Sequence, residues 1–384
     1  MNTGADDSAE EALLVARAYL SAVAEPPAPA LVEFIAEHGA LLAADRVHRG
    51  RLPSRVFDEV QARREHVRGR RTLEAAREDG VRLVVPEQHE WPRQRFSCFA
   101  EATAVGLAEV AEPIALWVRG AASVGVTVDT SVAVVGARAA SGYGEALAAE
   151  FGYGLASAGH TVVSGAAYGI DGAAHRGAVT AGKPTVALLA CGVDVDYPAG
   201  HGRLLRSITE QGLVISEYPP GTPPRKHRFL VRNRLIAALG AGVVVVEAGA
   251  RSGAGNTAGT AEALGRPVMA VPGPVTSSSS VGCHAMVRSG KAILVTRTDD
   301  IIEVVSPLGT AASTEVGGPS RTTDRLEQRA RQVHDALDGA GAASAEQLAR
   351  DSGLSLRQVR ALLPALEMAG FVTQSEGGWQ RCAP

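Results

Sequence analysis

Arg225, Lys226, Arg228, Arg232 and Arg234 crowd around Phe229 and Asn233, and no acidic residue falls between Glu217 and Glu247. The chain as a whole is slightly acidic, with a formal net charge of -3, so this cluster is not generic basicity. Positive charge tracks phosphates, and a ring in the same groove gives an unpaired base a surface to stack on. The pattern reads as a polyanion site, best matched by single-stranded nucleic acid. The competing reading is a loop of solvated arginines that leads into a helix over 231–238.

Four glycine turns follow predicted strands. The run 132–135 enters Gly136-Ala137-Arg138, after which Ser141-Gly-Tyr-Gly144 opens a helix. Glycine there lets backbone N–H groups approach an anion, a helix N-terminus adds partial positive charge, and Arg138 offers a two-pronged phosphate fork. The loop Ser164-Gly165-Ala-Ala-Tyr-Gly169-Ile-Asp171 repeats the device, and Ser252-Gly253 and Pro272-Gly273, the latter followed by Ser277 to Ser280, end two more strands. A purely structural turn explains any one of these loops. Four on one rim beside the cation cluster say more.

Asp171 and His175 stand four apart on one helical face. They are either an acid–base pair for catalysis or a structural pair in which the acid caps the helix or orients the ring. Dinucleotide and Walker spacings are missing, as is a Gly-x-Ser-x-Gly elbow. Cys98, Cys191, Cys283 and Cys382 are scattered, without zinc or dithiol spacing. The expectation is no catalytic set, no metal and no cofactor.

The elements that must position these residues alternate from residue 132 onward. Apolar strands over 132–135, 161–164, 185–189, 213–215, 243–246 and 267–271 are separated by helix-length segments such as 145–158 and 201–211. Continuous apolar strands between helices predict an α/β fold with a doubly wound, extended Rossmann-like and mostly parallel sheet. Ligands of such sheets sit at the carboxyl ends of the strands. Residues 1–78 read as a small N-terminal helical domain, 79–305 as the Rossmann-like domain, 306–324 as a Ser/Thr/Gly/Pro linker and 325–384 as a winged helix. In the last, helices over 326–337, 344–350 and 356–366 precede a wing around Phe371 and Trp379. Duplex DNA and protein are equally good partners for it.

Arginines 63, 64, 68, 70 and 71 of the helical domain fit either nucleic-acid contact or a solvated helix face. Hydrophobic content of 46% and charge of 21% fit a globular protein whose core, at 4% aromatic, is built from Ala, Val, Leu and Ile. Acids at the N-terminus, the scattered cysteines and the lack of a long apolar run predict a cytoplasmic protein without a membrane span.

The ordered set Val134-Val-Gly-Ala-Arg138, Ser164-Gly-Ala-Ala-Tyr-Gly-Ile-Asp-Gly-Ala-Ala-His175, Tyr197-Pro198, Ile215-Ser-Glu217, Phe229-Leu-Val-Arg-Asn-Arg-Leu-Ile236, Val246-Glu-Ala248, Ser252-Gly253, Thr257-Ala258 and Ala270-Val-Pro-Gly273 resembles the DNA-processing protein A family, also called DprA or Smf. The likeness spans nearly the whole α/β domain, and the helical (SAM-like) start and winged-helix end also resemble members that carry both. It implies a recombination mediator, not an enzyme. Such a protein is a homodimer that binds and shields incoming single-stranded DNA and loads RecA recombinase during natural transformation, with single-stranded DNA-binding protein as a further partner. The resemblance gives Arg138 a backbone phosphate, and Lys226 and Phe229 the bases. The expected contact set is Gly136, Ala137, Arg138, Ser164, Gly165, Gly169, Lys226, Phe229, Arg232, Asn233, Arg234, Ser252 and Gly253. Departures from the family pattern fall at Tyr168, at Ala254-Gly-Asn-Thr-Ala258, at Cys283-His284, and at Ala24-Glu-Pro-Pro27, where a helix-hairpin-helix glycine turn is expected.

Two other functions compete. Gly259-Thr-Ala-Glu262 is similar to part of the Gly-Gly-x-Gly-Thr-x-x-Glu loop of lysine-decarboxylase-like phosphoribohydrolases, with the leading glycines missing, and would make the chain a nucleotide-processing enzyme. Alternatively, the α/β domain senses a nucleotide and controls the winged helix.

Overall fold

The computed structural model describes residues 3–104, 107, 110–306, 326–337 and 341–382. They fall in two compact units, 1–312 and 313–384. The expected linker, apart from Ser306, lies outside the described residues.

The first unit opens with helices α1 (Thr3–Val23), α2 (Pro29–His38), α3 (Ala40–Arg49), α4 (Ser54–Val60) and α5 (Gly69–Glu78). Leu20, Leu31, Phe34, Ile35, Val47 and Val60 close a core of their own. Ala18 of α1 and Leu73 and Ala76 of α5 instead pack with the sheet residues Trp117, Leu189 and Val214. These helices therefore share a compact unit with the sheet.

Nine strands form one sheet in the order β1-β2-β6-β5-β4-β3-β7-β8-β9. The strands are β1 (Arg82–Val84), β2 (Leu116–Arg119), β3 (Ser131–Val135), β4 (Thr161–Ser164), β5 (Thr185–Leu189), β6 (Leu213–Ser216), β7 (Val243–Val245), β8 (Val268–Ala270) and β9 (Ile293–Leu294). From β6 across to β9 every pairing is parallel, as expected for continuous apolar strands. The antiparallel additions β1 and β2 and the short edge strand β9 were not among the expected strands. They are only two to four residues long.

The helices of this part are α6 (Arg93–Ala104), α7 (Val124–Val128), α8 (Gly142–Ser157), α9 (Ile170–Thr180), α10 (Gly202–Gln211), α11 (Lys226–Leu239), α12 (Gly253–Ala263), α13 (Val281–Arg288) and α14 (Thr298–Val305). Side-chain alternation along the strands divides the core between two faces. Ala133, Val135, Val163 and Val245 pack with Leu235, Ile236 and Leu239 of α11 and with α12. Val132, Val134, Val162 and Val244 pack with Phe151 and Leu155 of α8 and with Ile170 and Ala174 of α9.

The second unit has α15 (Gln328–Asp335), α16 (Ala345–Ser352) and α17 (Leu356–Met368), then a hairpin of β10 (Val372–Ser375) and β11 (Gly378–Arg381). Ser344 caps α16, and Ser355 with Gln358 forms a capping box on α17. Val333, Leu337, Leu348, Val359, Leu363 and Leu366 close its core. This is a winged helix.

Candidate nucleic-acid interface

In the sheet, β3 lies between β4 and β7. The chain leaves β3 toward β4 on one side and returns to β7 on the other, so the loops beyond these strands part at a topological switch point. A cleft of about 660 Å³ opens there. Gly136, Ala137 and Arg138 line it from the β3 loop, Ala167 from the β4 loop, Asp171 from the first turn of α9, and Ser252 and Gly253 from the start of α12. Lys226, Phe229, Arg232 and Asn233 of α11 complete the wall with Tyr197.

Helix α11 begins at Lys226, with Arg225 as its N-cap, so the arginine-rich segment is a helical turn and not a loop. Residues three and four apart share a face of a helix. Hence Lys226, Phe229, Leu230 and Asn233 all look into the cleft, while Arg228 looks away. Lys226 and Arg138 are exposed. The Arg138 guanidinium carbon lies 4.8 Å from the Phe229 ring centroid, and Tyr197 leans on the same ring at 5.3 Å and 43°. Sequence reasoning gave Tyr197 no such part; a Tyr-Pro pair beyond a strand was its only signal.

Two of the expected cations are structural. Arg232 is buried beneath the cleft and donates to the carbonyl oxygens of Gly165, at 2.8 Å, and Leu188. Burial lowers its pKa to about 10, opposed by the neighbouring Asp171 carboxylate. A Cβ on Gly165 would stand 2.3 Å from this guanidinium, so the glycine makes room for Arg232. Arg234 lies outside the cleft, buried, with Nη2 2.7 Å from Glu217 and its guanidinium over Phe99. Periodicity explains why Arg234 leaves the cleft: at 3.6 residues per turn it stands about 140° around α11 from Phe229.

Ser164, Gly165 and Gly169 support the wall from behind instead of lining it. Buried Ser164 donates to Val134 O at 2.6 Å. Gly169, at φ 73°, packs so closely that a Cβ would meet Ala137 O at 2.3 Å and Arg138 O at 2.5 Å. Gly169 thus lets the β4 loop hold the Arg138 loop from below. Ala166 in the same loop takes a left-handed φ of 52°, uncommon outside glycine.

The fourth turn, Pro272-Gly273, does not line the cleft. Ser279 of that loop donates to Glu247 at 3.1 Å, and Glu247 also accepts from the Ser141 N–H and hydroxyl at the start of α8. The helix N-terminus expected to attract an anion already holds this carboxylate.

Asp171 accepts from the Gly165 N–H at 3.2 Å, and burial pushes its carboxyl up against the pull of Arg232. His175 bonds through Nδ1 to the Thr185 hydroxyl at 2.7 Å, and burial, His201 and Arg232 lower its pKa to about 3. Each group has its own structural partner, so they do not form an acid–base dyad. Gly259 and Glu262 lie within α12, with Glu262 3.0 Å from Lys291, and form no catalytic loop. Tyr168 stays half exposed outside the cleft, accepts from the Gly200 N–H and sets its edge against His201. Asn256 accepts from Asn233 at 3.3 Å, which ties the first turn of α12, where the sequence departs from the family pattern, to α11. Cys283 is buried, and His284 bonds to Gly273 O at 3.0 Å.

A doubly wound sheet with a cationic, aromatic-floored cleft at its switch point, joined to a winged helix, defines a polyanion-binding α/β protein. The sequence profile of the family described as DNA recombination-mediator protein A matches residues 82–306, and that of the DprA winged helix domain matches 318–378. The chain belongs to the DNA recombination-mediator protein A family. It is 48% identical over 363 residues to the DNA processing protein DprA of Mycobacterium tuberculosis, covering 94% of this chain and 93% of that one. It is 37% identical over 253 residues to protein Smf of Escherichia coli K12, covering 65% and 67%. The X-ray structure of DNA processing protein A from Streptococcus pneumoniae superposes with a TM-score of 0.61 at 29% identity, over 76% of this chain and 97% of that chain. Among the described residues, no helix is long and apolar enough to cross a membrane.

Proposed function

We propose that the chain binds single-stranded DNA in the switch-point cleft and mediates recombination by loading RecA onto the bound strand during natural transformation, without breaking any bond in the DNA. The observation that carries this reading is the Arg138, Phe229 and Tyr197 stack beside Lys226. The Phe229 ring supports a base, while the Arg138 guanidinium, which lies over the ring, and Lys226 in the same cleft meet phosphates. Because Arg138 already covers the ring, a strand exchanges one partner for two: the guanidinium turns to a phosphate and the ring face to a base. Gly136, Ala137, Asn233, Ser252 and Gly253 complete the contact surface, whereas Arg232, Arg234, Ser164, Gly165 and Gly169 act by holding its walls.

A homodimer fits the exposed edge strand β9, where Ile293 and Leu294 remain 51% and 49% exposed beside unpaired backbone groups. A reducing, cytoplasmic setting fits Cys98, Cys191, Cys283 and Cys382, none of them in a disulfide. Loading is tested on a single strand already coated with single-stranded DNA-binding protein. The chain shortens the lag of RecA filament formation, and an Arg138→Ala, Lys226→Ala variant does not. An unshortened lag at every protein concentration rules the loading role out.

A further inference from the structure

A second groove, of about 640 Å³, lies on the other side of the first turn of α11. Its walls are α1, the segment leading into α5, α5 itself, and the loop between β6 and α11, all within the first compact unit. Arg63, His66, Arg68 and Arg71 enter it from the helical domain and Arg228 from α11. The acid beside it, Glu25, is consumed by three neighbours: it accepts from Arg228 at 2.7 and 2.9 Å, from Arg63, and pairs with His227 at 3.0 Å. Arg68 and Arg71 are exposed and have no carboxylate partner among the described residues. Arg68 is held by backbone oxygens alone, those of Glu65 at 2.6 Å and Val67 at 3.1 Å, which orient the guanidinium without cancelling its charge.

The floor is Tyr218 with Pro219, Pro220 and Pro223. Proline has no N–H, and the Gly221 N–H is spent on Asp194. An anion in this groove therefore meets side-chain cations over an apolar floor, which suits a sugar–phosphate backbone and reads no base. Lys226 and Phe229 face the switch-point cleft from the same helical turn whose Arg228 faces this groove. The two sites are thus about one helix diameter apart, roughly 10 Å, with exposed Arg225 between them.

We infer that the groove under α5 is a second phosphate-binding stretch, which takes the backbone of the strand as it leaves the cleft past Lys226 and Arg225. This rests on single-strand binding in the cleft, and gives the N-terminal helical domain a share in the DNA path. A short strand fills the cleft alone. A longer one also engages Arg68 and Arg71.

The test compares the full chain with an Arg68→Ala, Arg71→Ala variant, and with Arg71→Glu alone, since the Arg71 side chain makes no hydrogen bond among the described residues. Anisotropy is titrated over a salt series with oligo-thymidines of about 3 nucleotides, too short to fill the cleft and reach the groove together, and of about 30 nucleotides. Each lost phosphate contact lowers the slope of log affinity against log salt by about 0.7, so the double variant loses about 1.4 on the long strand and nothing on the short one. Arg71→Glu weakens the long strand alone. Equal slopes for variant and unaltered chain on the long strand overturn the groove while leaving the cleft intact. Absence of binding by the unaltered chain to either strand removes both.

Discussion

The Arg138 guanidinium sits 4.8 Å from the centroid of the Phe229 ring, although one residue comes from the loop after β3 and the other from the first turn of α11. The switch in strand order makes this meeting possible, because it brings a strand end under a helix start. A ring so placed supports a base on a face that already tolerates a planar cation. Phe229→Ala should weaken oligo-thymidine binding by about 1–3 kcal/mol, and Phe229→Trp should restore most of it. Isothermal titration with a short strand measures both.

Arg138 is expected to resist replacement by lysine. A guanidinium can stack on the ring and grip two phosphate oxygens, whereas an ammonium keeps the charge and loses the fork. Arg138→Lys should therefore retain the salt slope of the unaltered chain but bind more weakly. Arg138→Ala should lower the slope by about 0.7. Anisotropy over a salt series separates the two.

Arg234 should act on stability and not on DNA. Its side chain and that of Glu217 are 4% and 6% exposed and pair at 2.7 Å. Arg234→Ala leaves a buried carboxylate without its partner, at a cost of about 3–5 kcal/mol, while Arg234→Met with Glu217→Gln costs much less. Urea unfolding followed by circular dichroism reads the difference, and affinity per folded molecule should not change.

Glu25 couples the helical domain to α11 in a pH-dependent way. Burial alone would raise its carboxyl, but hydrogen bonds from Arg228, Arg63 and His227 outweigh it and hold the pKa at about 2. Because the folded value is below the ordinary 4.5, the contribution is present above pH 4.5 and is lost as pH falls toward 2. It amounts to about 2 kcal/mol once the 30% of the side chain left in water is allowed for. Glu25→Gln should flatten the stability profile across that window in urea titrations.

The parallel core was legible because its strands are buried on both faces and so read as unbroken apolar runs, such as 132–135 and 243–246. Arg138, Lys226 and Phe229 were legible because charge and aromaticity are surface signals. The fate of Arg232 and Arg234 was not, since two buried cations in a helix look the same in sequence as two exposed ones. Only the neighbours reveal them: the Gly165 and Leu188 carbonyls for one, Glu217 for the other. Glu247 was hidden for a similar reason, as it reaches Ser141 across more than a hundred residues of chain.

The most direct measurement is the affinity of the unaltered chain and of the Arg138→Ala, Lys226→Ala variant for a labelled single strand and for a duplex of equal length. The unaltered chain should prefer the single strand by at least about tenfold, near 1.4 kcal/mol, and the double variant should lose that preference. Titration curves that superpose for the two proteins, or a duplex bound as tightly as the strand, would contradict the assignment of the cleft.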